Sequence, residues 1–201
     1  ETSGLAGGTG TYAFLVGVGW YSEAGFTVAQ YFMRDPLEEP ALLAAISERL
    51  AVFDVIVTFN GKSFDIPLLN TRLTLNRFPL PFGDMDHIDL LHLARRLWRN
   101  RLASRAMGDL EREIIGFTRD QDEVPGYLIP QYYFDYLSSG DARPLAGVFY
   151  HNVFDIVSLA VLFDYMASVL DRPSDFNLHS LDVVAVARLY EENGRIEDAA
   201  D

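Results

Sequence analysis

Val52-Phe53-Asp54-Val55-Ile56-Val57-Thr58-Phe59-Asn60-Gly61-Lys62-Ser63-Phe64-Asp65 is the stretch that decides the fold class. Val52 to Phe59 is a short apolar run rich in β-branched side chains, as expected of a central parallel strand covered on both faces. Asn60 to Ser63 turns polar and small at once, which reads as a loop. Phe64 to Leu75 resumes with helical spacing and carries a carboxylate, Asp65, in its first turn. Strand, tight loop and helix in that order form the repeating unit of an α/β domain.

Upstream, Thr11 to Tyr21 is apolar and small and predicts a buried strand, with Gly25 to Phe32 as its hairpin partner across a turn at Ser22 to Gly25. Pro36 and Pro40 bracket a helix start, after which Leu42, Leu43, Ile46 and Leu50 recur at helical spacing. Downstream, Asp89 to Trp98 predicts an amphipathic helix with Leu90, Leu91, Ala94 and Leu97 or Trp98 inward. A shorter helix follows near Asp109 to Ile115. Pro125-Gly126 marks a turn, Pro130 a helix start and Asp141 to Pro144 a loop, before a long apolar helix over Asn152 to Leu170. Arg172 to Asn177 reads as a linker to a helix, the Asn193-Gly194 turn and the beginning of another helix. The expected architecture is therefore a mixed β-sheet flanked by helices over 1–171, then a linker and the start of a helical region over 172–201.

Composition narrows the function. The chain has 201 residues, 49% of them hydrophobic, enough for one domain with a sizeable core. It holds no unbroken run of about 18 apolar residues, so no membrane partner is expected. Zero cysteines exclude disulfides and thiolate metal ligands and fit a reducing cytoplasm, leaving carboxylate, His or carbonyl oxygen for any metal. A formal charge of −13 excludes a general nucleic-acid coat protein. It does not exclude a nuclease, because two divalent cations in a carboxylate cluster restore roughly four positive charges where a phosphate must approach.

Three carboxylates stand where an element would hold them rigidly: Glu1 in Glu1-Thr2-Ser3-Gly4-Leu5, Asp65, and Asp155 in His151-Asn152-Val153-Phe154-Asp155. Glu1 precedes a glycine-rich turn (Gly4, Gly7, Gly8, Gly10) that lacks the Gly-Lys-Ser/Thr ending of a phosphate loop. Asp65 and Asp155 each have a plainer reading as helix-start acids, with Asn152 as the N-cap before Asp155. His151 lies four residues before Asp155 and shares its helix face if the helix reaches back that far. A neutral imidazole there can take a proton from a metal-bound water.

In this order the three stretches resemble the motifs of the DEDD superfamily of 3′–5′ exonucleases, which have the ribonuclease H-like fold. Glu1-Thr2-Ser3-Gly4-Leu5 is similar to the second half of Asp-x-Glu-Thr-Thr-Gly-Leu, Asn60-x-x-x-Phe64-Asp65 matches the second motif, and His151-Asn152-x-x-Asp155 resembles the third. Gly4 to Tyr12, Asp89-Leu90-Leu91-His92 and the His-Asn-x-x-Asp ending resemble more narrowly the YprB-type ribonuclease H-like proteins. The resemblance implies two Mg2+ or Mn2+ ions on Glu1, Asp65 and Asp155, and His151 as general base. It further implies Thr2, Asn60, Lys62, Phe64 and Asn152 beside a single-stranded DNA or RNA 3′ end, with release of a nucleoside 5′-monophosphate. The alternative is a degenerate ribonuclease H-like module that binds nucleic acid or protein without cleaving it. The first-motif aspartate would stand two residues before Glu1, so the domain is expected to be truncated at its N-terminus and this chain impaired. Histidine-type members place the base five residues before the last aspartate, the position of Tyr150, which stays the alternative to His151.

Other features point to substrate or partner less directly. Arg95, Arg96, Arg99, Arg101 and Arg105 form the dense basic segment of an acidic chain, suited to a phosphate backbone or to a solvated helix face. Lys62, the one lysine, sits beside the second motif. Tyr127, Tyr132, Tyr133, Phe134 and Tyr136 read as base-stacking or, more simply, as core. Asp89 is expected to cap the helix at Leu90, with Asp84, Asp86 and His87 as loop residues. Leu189 to Gly194 with Ala199 is similar to half a tetratricopeptide-type repeat, a surface for a protein partner.

Overall fold

The computed structural model describes residues 1–4, 10–119 and 124–200. The glycine-rich turn through Gly7 and Gly8 lies outside them. Strands β1 (Leu15–Ser22) and β2 (Gly25–Phe32) form the expected antiparallel hairpin, with Leu15 opposite Phe32 and Ser22 opposite Gly25. Extended residues at the N-terminus add to β1's other edge. Thr2 bridges Ala13, Ser3 N donates to Tyr12 O at 2.9 Å, Phe14 N donates to Glu1 O at 3.0 Å, and Glu1 N is bonded to Leu15 O. A second pair, β3 (Val55–Thr58) and β4 (Asp86–Asp89), is parallel, with Val55 opposite Asp86 and Thr58 opposite Asp89. The fold is thus mixed α/β, with two small sheets among the described residues.

Eight α-helices accompany these strands among the described residues: α1 (Glu39–Leu50), α2 (Asp65–Leu75), α3 (Leu90–Trp98), α4 (Met107–Leu110), α5 (Ile129–Ser139), α6 (Leu145–Asp171), α7 (Ser180–Glu192) and α8 (Ile196–Ala200). Leu42, Leu43, Ile46 and Leu50 of α1, and Leu90, Leu91, Ala94, Leu97 and Trp98 of α3, are all buried, as their spacing required. Glu39 ties α1 to α2 from inside. Its buried carboxylate accepts from Arg72 Nε at 2.6 Å, Arg72 Nη2 at 2.5 Å and Asn76 Nδ2 at 2.9 Å.

Two expectations need correcting. Asp86 and His87 are strand residues, not loop: β4 is four residues long and runs directly into α3, so its period was hidden behind the helical one. The long helix begins at Leu145, because Leu145 and Val148 continue its buried stripe backwards. Asn152 is therefore no N-cap but an interior residue. Helix α6 is 27 residues long and contains an 18-residue window of mean hydropathy 1.9, the length and composition of a membrane-crossing helix, although polar residues interrupt its apolar run. Its buried side chains are spent inside the molecule. Leu145 and Val148 join one core with Phe14, Leu15, Met33, Leu43 and Tyr133; Leu162, Met166 and Val169 join another with Leu90, Leu97, Trp98, Val186 and Tyr190.

Glycines set how closely α6 lies on the hairpin. A Cβ built on Gly17 would fall 2.2 Å from Ile156 Cδ1 and 2.5 Å from Asn152 Oδ1, and one on Gly19 would fall 2.6 Å from Ile156 Cγ2. Bare backbone on β1 thus lets the helix settle directly on the strand. Since Glu1 is paired with Leu15 of that strand, the same contact brings Asp155 toward Glu1.

Candidate metal and catalytic centre

The second-motif loop is built by backbone geometry. Asn60 takes φ 62°, the left-handed region that asparagine tolerates better than most residues. Gly61 is buried, and a Cβ there would lie 2.5 Å from Thr58 Cβ and Oγ1, so only glycine fits. Asp89, 5% exposed, clamps the loop from the neighbouring strand: its carboxylate accepts from Asn60 N at 2.8 Å, Lys62 N at 3.0 Å and Leu91 N at 3.1 Å. One buried carboxylate therefore caps α3, as expected, and also fixes the turn that delivers Asp65 to the start of α2. Thr58 Oγ1 meets His87 Nε2 at 2.8 Å beneath it. Burial holds the His87 imidazole below its ordinary pKa, with the charge of Lys62 acting in the same direction.

The third motif lies mid-helix on α6. His151 Nε2 is 3.4 Å from Asp155 Oδ2, one turn along. Glu1, His151 and Asp155 present ligand atoms within 4.8 Å of one another. Two carboxylates and an imidazole at that spacing suit one divalent cation of the oxygen-preferring kind. Asp65 stands outside this trio but within electrostatic reach of it. Desolvation raises its carboxyl above the usual range, opposed by the N-terminal amine and its own backbone N–H and aided more weakly by the negative charges of Glu1 and Asp89. The residue's surface remains exposed, so solvent moderates that rise.

The other sequence candidates separate. Tyr150 packs its ring on Phe154, centroids 4.3 Å apart. Asn152 is buried against the hairpin and accepts from Gln30 Nε2 at 3.0 Å, so its amide is committed to joining α6 to β2. The Thr2 hydroxyl donates to Gly4 O at 2.9 Å, while Lys62 and Phe64 are exposed at the head of α2. In the basic segment, Arg96 is paired with Glu192, and Arg101 with buried Asp182; both serve to dock α7 on the α3 region. Arg105 donates to Leu102 O and Ala103 O. Tyr133 is fully buried, stacked on Phe14 at 4.0 Å with its hydroxyl donating to Met33 O at 2.9 Å, which makes it core.

Sequence reasoning missed Arg119 and Glu111. Arg119 Nη2 donates to Asp155 Oδ1 at 2.7 Å, and the same guanidinium grips Glu111 through Nε at 2.8 Å and Nη2 at 2.5 Å. Glu111 is 1% exposed and lies in a π-helical turn (Glu111–Ile115) directly after α4. No local pattern announces that Arg119 meets Asp155, 36 positions away. Asp155, His151, Arg119, Arg112, Phe117 and Gly108 are among the walls of an open cleft of 570 Å³. Phe117 lies parallel to Phe154 at 5.7 Å and offers that cleft an aromatic wall.

Two comparisons with known proteins bear on this arrangement. The sequence profile of the RNase_H superfamily matches residues 1–167, which include all three carboxylate stretches. A Bacillus subtilis (strain 168) protein described as uncharacterized protein YprB is 36% identical over 191 residues, covering 94% of this chain. The chain spans about half that relative's length, 46%.

Proposed function

Because the chain belongs to the RNase_H superfamily, whose members are commonly hydrolytic nucleases using divalent metal ions, we propose that it is a metal-dependent 3′–5′ exonuclease of the DEDD type. The observation that carries this reading is the convergence of Glu1, His151 and Asp155, each from a separate sequence stretch, within 4.8 Å. Glu1 and Asp155 would hold a Mg2+ or Mn2+ ion, and Asp65, across from Glu1, would help hold a second. Bound cations supply a water of lowered pKa and neutralise charge on the phosphoryl oxygens. His151 takes the attacking water's proton at Nε2, the atom facing Asp155, and Asp155 steadies the imidazolium that results. Lys62 and Phe64, exposed beside Asp65, would meet the phosphate and base of a single-stranded DNA or RNA 3′ end, with Thr2 and Asn60 shaping the adjoining backbone.

We place the reaction in the cytoplasm, on the absence of cysteine from the sequence. Residues 1–171 would form the nuclease domain. Over 172–201, α7 and α8 meet across the Asn193-Gly194 turn and would begin a tetratricopeptide-like surface for a protein partner.

One observation favours a second reading, a module that binds nucleic acid without cleaving it: Asp155 is already neutralised internally by Arg119. Incubating the natural protein that carries these residues with matched 5′-labelled DNA and RNA oligonucleotides, with magnesium or with a chelator, decides between them. Stepwise shortening from the 3′ end that the chelator abolishes is expected. Tight binding of intact oligonucleotide with no shortening in magnesium would sink the exonuclease reading and leave the binding module.

A further inference from the structure

Arg119 is a cation standing where a metal ligand needs one. Both oxygens of Asp155 have neighbours: Oδ1 accepts from Arg119 Nη2 at 2.7 Å, and Oδ2 faces His151 Nε2 at 3.4 Å. A divalent ion on Asp155 must compete with that guanidinium for Oδ1. Yet Arg119 cannot simply depart. Glu111 is 1% exposed, and without Arg119 its carboxylate would be a buried charge lacking its bidentate partner, a costly state. The Arg119–Glu111 contact is deep and two-pronged, through Nε and Nη2; the Arg119–Asp155 contact reaches a carboxylate 40% exposed and shares Nη2 alone. The weaker link gives way first.

We propose that Arg119 is a positioning residue that trades Asp155 for a phosphate: it neutralises Asp155 until a divalent cation takes that carboxylate, then, still anchored on Glu111, turns its outer edge to the substrate's phosphoryl oxygens. The cleft of 570 Å³ that Arg119 lines opens beside it, with Arg112 and Thr118 also among its lining residues. The ligand class is a nucleotide phosphate entering together with a divalent cation. A guanidinium suits the exchange because its planar fork can hold one carboxylate on one edge while presenting another to a second anion. This inference rests on the metal-site part of the proposed function, but not on cleavage.

The test uses binding alone. In the unaltered protein labelled with 15N-arginine, saturating magnesium is expected to shift the Arg119 guanidinium resonance while leaving that of Arg72, which is locked on Glu39, in place. Replacing the buried pair together, Glu111→Gln with Arg119→Gln, removes the competitor without orphaning a charge. By calorimetry, magnesium is then expected to bind roughly fivefold tighter, the scale of a partly exposed ion pair. A nucleoside 5′-monophosphate, added with magnesium, is expected to bind about tenfold weaker through loss of a charge-assisted contact. A residue that merely supports the fold does not move the two affinities in opposite directions. Magnesium that binds without shifting the Arg119 resonance, or affinities that fall together or stay unchanged, would overturn the exchange and leave the nuclease reading standing. No magnesium binding to the unaltered protein would instead remove the metal site itself, and the exchange with it.

Discussion

The loop that presents Asp65 and the helix that presents Asp155 solve one problem, holding a carboxylate still, in opposite ways. Around Asp65 the device is backbone. A left-handed Asn60, a Gly61 with no room for a Cβ and two loop N–H donors on Asp89 fix the turn, while Asp65 itself stays exposed. Around Asp155 the backbone is ordinary helix, and the device is side chains: His151 of the same helix on one oxygen, Arg119 from a distant segment on the other, and Glu111 behind Arg119. Turns made from backbone are written into neighbouring residues; charge networks assembled across the fold are not.

The largest expected effect tests whether both devices serve one reaction. Asp155→Asn and Asp65→Asn are each expected to lower metal-dependent degradation by about 10³-fold, since each removes a ligand charge. Initial rates on end-labelled oligonucleotide read this directly. If Asp65→Asn keeps its activity, the two carboxylates do not share a site.

Next in size is the clamp itself. Asp89→Ala strips three backbone donors of their acceptor and is expected to cost about 2–3 kcal/mol, seen as a lower urea midpoint. Activity should fall beyond what the lost stability explains, because Asp65 is no longer held. An unchanged midpoint would mean that the loop is set by Asn60 and Gly61 alone.

A packing change probes the other region. Gly17→Ala drives a methyl into Ile156 and Asn152, and is expected to cost about 1–3 kcal/mol. It should also weaken magnesium binding by parting Asp155 from Glu1. Full magnesium affinity in a folded Gly17→Ala protein would detach the β1–α6 contact from the site.

The smallest effect is in pH. His87, beneath the loop, has its pKa lowered from 6.5, so the folded protein binds fewer protons there than the unfolded chain. Its contribution to stability is therefore fully present above that value and is lost as pH falls through the lowered one. Urea midpoints at about pH 5.5 and 7.5 should differ less in His87→Gln than in the unaltered protein. Equal differences in both would dissociate His87 from the loop.

Legibility followed the same division. The hairpin, α1, α2 and the inward face of α3 could be read from spacing, because their buried residues recur at the period of the element that carries them. Asp89 as the cap of α3 was legible for the same local reason. Strand β4 was not, since four residues running straight into a strong amphipathic helix carry too few alternations to be seen. Nor was the start of α6: Asn152 looked like a cap because asparagine usually is one at a helix start, whereas here its amide is satisfied by Gln30, which stands 122 positions away.

The sequence by itself determined the α/β order, the three acidic stretches and the turn that brings Asp65 to the head of α2. Each rests on side-chain periodicity or on backbone preferences of adjacent residues. Only the tertiary structure decided that Asp155 meets Glu1 and that Arg119 holds Asp155 from a base on buried Glu111. Those contacts join residues far apart in the chain. Their strength depends on burial and distance, which no local pattern of residues encodes.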